Sequence, residues 1–146
     1  MTVTFTVPGE PQGKQRPRHM KNGHTYTPDE TRQYEKLVRE AYILQSGLSF
    51  GKAAIVVNIL AFFRIPKSFT RKQRERIRTG ELFPTVKPDG DNIEKIVWDA
   101  LSGTAYSDDK QIVDHHCRKL YAYGDERSVG LIVTVSDEVK YYEGQT

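Results

Sequence analysis

The chain has 146 residues, 37% of them hydrophobic and 28% charged, with a formal net charge of +3. That balance belongs to a globular protein of one domain's length and excludes a disordered chain. The one long apolar stretch, Ala53 to Phe63, is too short to span a bilayer, and no basic-then-apolar leader precedes it. The single cysteine, Cys117, excludes a disulfide framework and a multi-cysteine zinc site, so a reducing cytoplasm is the expected location.

In chain order, Thr2 to Val7 alternates Val3, Phe5 and Val7 with threonines and predicts a half-buried strand ending at Pro8. Gly9, Pro11, Gly13, Pro17 and Gly23 make Pro8 to His24 a loop. Thr27-Pro28-Asp29-Glu30 predicts a helix start, with Thr27 as N-cap, Pro28 at the first helical position and Glu30 closing a capping box. Tyr34, Leu37, Val38, Ala41 and Tyr42 then share one helical face, and Gly47 closes the helix. Lys52 to Arg64 predicts a central strand. Thr70 to Thr79 predicts a mostly exposed helix ending at Gly80, and Asn92 to Leu101 a third helix ending at Gly103. After a turn through Tyr106 and Asp109, Gln111 to Tyr123 and Ser128 to Ser136 predict two strands joined as a hairpin at Gly124-Asp125. The expected fold is a single α/β (α+β) domain over residues 1–146, a mixed sheet with packed helices.

Charge is unevenly spread along this pattern. Lys14, Arg16, Arg18 and Lys21 stand in a stretch without acids, and Arg64 to Lys87 carries +6. Pro88 to Asp114 reverses to −5. A compact acidic patch between basic stretches is the arrangement a metal-dependent enzyme acting on a polyanion needs: cations hold phosphates, and carboxylates hold a divalent ion.

The acidic constellation is Lys87-Pro88-Asp89-Gly90-Asp91-Asn92, then Lys95, Asp99 and Asp108-Asp109. Pro88 biases the chain toward an extended shape, in which Asp89 and Asp91 project to one side. At about 100° per residue from Asp91, Lys95 falls near 40° and Asp99 near 80°, beside the carboxylate pair and away from the apolar face. Such oxygens suit a hard cation like Mg²⁺. From spacing alone, helix capping and ordinary i,i+4 ion pairs are the commoner explanation of the same pattern. A calcium loop does not, because its fifth and twelfth positions from Asp89 would be Ile93 and Ala100. His115, His116 and Cys117 are adjacent in a strand and are read as packing residues, with Cys117 a buried, inert thiol.

The pattern Asp89-x-Asp91-Asn92-x-x-Lys95-x-x-x-Asp99-Ala100-Leu101, followed by Asp108-Asp109-x-Gln111, resembles the RusA family of crossover-junction (Holliday junction) endodeoxyribonucleases, as does Lys14-x-Arg16-Pro17-Arg18. The resemblance implies a RusA-like fold and a homodimer that resolves four-way DNA junctions by paired symmetric nicks, using Mg²⁺, which Mn²⁺ can replace. It places metal ligation on Asp89, Asp91 and Asp109, with Asp108 beside them, and the essential lysine on Lys95. Lys14, Arg16 and Arg18 become the expected phosphate grip, with Arg71, Arg74, Arg78 and Lys87 behind them. Gly90 departs from the family, which more often carries an apolar residue there. Two other readings stay open: a non-enzymatic binder of branched DNA, and a nuclease preferring flaps or other branched replication intermediates.

Overall fold

The computed structural model describes residues 1–141, so the last five residues of the expected 1–146 unit lie outside the described residues. Its core is a mixed four-stranded sheet. Strand β4 (Ile55–Phe63) lies inside it, parallel to β5 (Ile112–Tyr121) on one edge and antiparallel to β6 (Gly130–Ser136) on the other. Strand β1 (Thr2–Pro8) pairs antiparallel with β6 and closes the far edge, giving the order β1-β6-β4-β5. Along β4, Ile55, Val57, Ile59, Ala61 and Phe63 all point into the core. Burying each of the larger four contributes about 1.5–3 kcal/mol.

The expected hairpin between the last two strands does not form, because β4 lies between them. Gly124-Asp125 does reverse the chain, but the connection from Tyr121 to Gly130 steps across the end of β4, where Phe63 pairs with Tyr121 and Phe62 with Gly130. The most apolar strand takes the position with neighbours on both edges.

One face of the sheet is covered by α1 (Asp29–Gln45) and α3 (Gly90–Leu101), which pack on each other, with α1 against β1 and α3 against β5. Tyr34, Val38, Ala41 and Tyr42 are buried as the periodicity requires, whereas Leu37 is exposed. The start of α1 differs from expectation by one residue. Pro28, at φ −55° and ψ 144°, is itself the N-cap, and no side chain caps the helix. Glu30 accepts a hydrogen bond from Gln15 Nε2 instead of closing a box. Gly47 at φ +69° ends the helix, its N–H bonding the Tyr42 carbonyl. Within the expected 8–24 loop, β2 (Arg18–His19) forms a short ribbon with β3 (Thr25–Tyr26), which follows the loop. Helix α2 (Arg71–Arg78) is capped by Thr70 and Gln73 and buries only Ile77. Among the described residues no helix is long and apolar enough to cross a membrane.

Candidate active site

Helix α3 organises the site. Ile93, Ile96, Val97, Ala100 and Leu101 are fully buried, which turns Asp91, Lys95 and Asp99 to the opposite side. Two residues earlier than expected, the helix opens at Gly90, with Asp89 as an extended N-cap at φ −69° and ψ 154°. Asp91 is therefore helical, so strand-like alternation does not pair it with Asp89. Both carboxylates are exposed, and neither has a hydrogen-bond or ion-pair partner among the described residues. At Gly90, an added Cβ would meet only Cys117 Cβ and Sγ, at 3.9 Å, so the helix start lies directly against β5.

The N-terminal loop is laid across this helix start. Lys14 N–H donates to the Asn92 carbonyl at 2.9 Å. Gly13 has no room for a side chain, since a Cβ there would stand 2.8 Å from Pro88 Cβ and 2.9 Å from Asn92 Cβ. Between loop and helix runs a groove lined by Gln12, Lys14, Gln15, Lys87, Asp89 and Asn92.

From the groove a line of alternating charges crosses the protein. Glu35 of α1 pairs with Lys14. Asp99 pairs with Lys14 at 3.2 Å and with Lys95 at 3.3 Å. Lys95 in turn reaches Asp109 Oδ2 at 3.3 Å. Burial pulls the Lys95 pKa down, but Asp99 and Asp109 outweigh it and hold the ammonium above the ordinary lysine range. Lys14 behaves alike, with Glu35 and Asp99 outweighing its burial.

Asp109 is delivered by a 3₁₀ turn, Asp109–Gln111, built by its neighbours. Asp108 Oδ1 accepts from Lys110 N–H at 2.9 Å, which pulls the Asp108 carboxyl below its usual range. Gln111 Oε1 accepts from Asp108 N–H, while its Nε2 donates to the carbonyls of Gly51 and Ala53, each at 2.9 Å. Asp108 is thus a capping residue with one oxygen already used. The structure brings Lys95, Asp99 and Asp109 into contact. Among the described residues, no three His, Cys, Asp or Glu side chains converge closely enough to hold an ion unaided.

The family model for endodeoxyribonuclease RusA matches residues 8–136. The chain belongs to the RusA endodeoxyribonuclease family. It is also similar to the uncharacterized protein YqaN of Bacillus subtilis (strain 168), at 34% identity over 128 residues, which cover 82% of this chain and 88% of that protein.

The basic residues expected to grip DNA differ in the partners they have within this RusA-family protein. Lys14, paired with Glu35 and Asp99 and 24% exposed, anchors the loop. Arg74 donates to the carbonyls of Pro66 and Phe69, and Arg78 is paired with Glu75. Arg16, Arg18, Arg71 and Lys87 are exposed.

Two residues that the sequence reading left out bear on the site. Glu35 completes the charged line, but in sequence it is one more acid on a helix. Glu94, 8% exposed, meets His115 Nδ1 at 2.6 Å. His115 is therefore half-exposed, packed edge-to-face on Trp98 as well as paired with Glu94, and only the tertiary fold brings Glu94 and His115 together. Cys117 behaves as expected, burial pushing its thiol up to about 11.

Proposed function

We propose that this protein is a Mg²⁺-dependent endodeoxyribonuclease that resolves four-way DNA junctions by paired symmetric nicks, acting as a homodimer in recombination and repair. Asp89, Asp91 and Asp109 would hold the divalent ion together with phosphate oxygens of the DNA, and Mn²⁺ could substitute for it. The donor chemistry supports this assignment. Mg²⁺ is usually bound through one or two carboxylates plus substrate phosphates, and Asp89 and Asp91 have oxygens uncommitted to other described residues. When bound, the ion supplies Lewis-acid stabilisation of charge on the phosphoryl group.

The rest is done by side chains. Lys95, kept cationic by Asp99 and Asp109, stabilises negative charge building on the phosphoryl group or the departing oxygen. Asp108 and Gln111 hold the turn that carries Asp109. Arg16 and Arg18 hold backbone phosphates beside the groove, with Arg71 and Lys87 extending the grip. Two equivalent sites related by a two-fold axis match the two symmetric cuts a junction needs.

The observation that carries this reading is Lys95 seated against Asp109 on the polar face of α3, in a chain of the RusA family. It is tested by comparing labelled four-way junction, flap and linear duplex at equal concentration with Mg²⁺. Preferential paired cutting of the junction supports it, and preferential flap cutting supports the second nuclease reading. Binding without any cutting leaves the non-enzymatic reading.

A further inference from the structure

Glu94 is nearly buried, at 8% exposed, on the flank of α3 that faces β5, where an apolar side chain would serve packing better. Its partner is no buried cation. It is His115, whose side chain is 48% exposed on the edge strand. The ring is fixed twice: Glu94 Oε2 lies 2.6 Å from Nδ1, and Trp98 meets it edge-to-face at 4.9 Å and 82°. Nε2 has no partner among the described residues.

This pair flanks the aspartates. Asp91 lies three residues before Glu94 and seven before Trp98, so all three share one strip of the helix. Cys117, next after His115 on the same side of β5, touches the space beside Gly90. Asp91 therefore lies between Lys95, which reaches Asp109, and Glu94, which holds His115.

We propose that His115, oriented by Glu94, is a further DNA contact of this site, its Nε2–H binding a backbone phosphate beside the one that is cut. The proposal rests on the nuclease reading above. Glu94 is the positioning residue: it holds Nδ1 at 2.6 Å and leaves Nε2 free to face the DNA, and an imidazolium ring donates from both nitrogens. Asp91 and Lys95 are the other charged groups on that part of α3. Val57, the β4 partner of His115, is uncharged, and burial pushes the Cys117 thiol up to about 11, so it stays neutral. Asp114 and His116, paired with each other at 3.3 Å, belong to the opposite face of the sheet.

The test is binding of the full chain to a labelled four-way junction, with chelator present, from pH 5.5 to 8.5. The chain also carries His19, His24 and His116, so the readout is the difference between variants. His115→Ala should bind about fivefold more weakly at pH 6 and converge with wild type at pH 8.5. Glu94→Gln, which takes the carboxylate off Nδ1, should lose part of that pH-dependent component. His116→Ala should leave it in place. His115→Gln, which keeps a side chain against Glu94 without a cation, supplies the same comparison if the alanine variant melts early. Equal affinity of wild type and both His115 variants at every pH, in a protein that cuts junctions, overturns the His115 contact alone. Wild-type protein that neither binds nor cuts branched DNA overturns the nuclease reading and the contact with it.

Discussion

Replacing Asp99 with asparagine keeps the shape of the side chain and removes its charge from the centre of the Glu35–Lys14–Asp99–Lys95–Asp109 line. Two ion pairs are lost, at 3.2 and 3.3 Å, between side chains 24% to 51% exposed. Exposed pairs contribute about 0.2–1 kcal/mol each, and these lie at the upper end because Lys14 and Asp99 are half-buried. The expected destabilisation is about 1–2 kcal/mol. For a chain of this size that lowers Tm by roughly 2–8 °C. The sign of the pH dependence follows from Lys14 and Lys95, whose folded pKa values lie above the ordinary lysine value. A raised lysine stabilises the fold fully below its unfolded pKa, near 10.4, and that contribution disappears as pH rises through the folded value. The gap between wild type and Asp99→Asn should therefore be full at pH 7 to 9 and close above about pH 10.5. Differential scanning calorimetry across pH 7–11 measures both. Identical Tm values at pH 7, or a gap unchanged up to pH 11, would refute the account of this charged line.

Four other outcomes are expected. Asp91→Asn should cut four-way junctions at least about 100-fold more slowly with Mg²⁺, yet bind them as well or better, since less negative charge faces the DNA; wild-type cleavage would remove Asp91 from the site. Arg16→Ala should weaken junction binding and flatten the log K against log[salt] slope by about 0.9, and an unchanged slope would take Arg16 out of the grip. Gly13→Ala forces a Cβ to within 2.8 Å of Pro88 and should cost about 1–3 kcal/mol in urea unfolding; an unshifted midpoint would show that the loop does not pack there. Lys95→Met should leave binding near wild type and lower kcat by about 10²-fold, whereas a pure KM effect would make Lys95 a binding residue only.

Much of the fold was readable because its elements are locally specified. The period-two run in Thr2 to Val7, the apolar stripe of α1 apart from Leu37, and the Ile93/Ile96/Val97/Ala100/Leu101 face each lie where the pattern placed them. What failed was non-local. Gly124-Asp125 is a sound turn signal, but no local signal says that β4 inserts between the strands it joins. The Thr27 cap failed because Pro28 keeps ψ at 144° and Glu30 is engaged by a loop residue fifteen positions away. The site divides along the same line. Helical phase put Lys95 and Asp99 on one face, and they pair there. The commitment of Lys14 to Glu35 and Asp99, the capping use of Asp108 and the Glu94–His115 contact all depend on elements meeting across the fold.

The most direct measurement is strand-by-strand mapping of a labelled four-way junction incubated with the purified protein, with Mg²⁺ and with a chelator. Paired nicks at two-fold-related positions in opposing strands, abolished by the chelator and by Asp91→Asn, are the predicted result. A junction left intact with Mg²⁺, or cut equally well in the chelator, would contradict the claim that these carboxylates hold the ion that breaks the DNA.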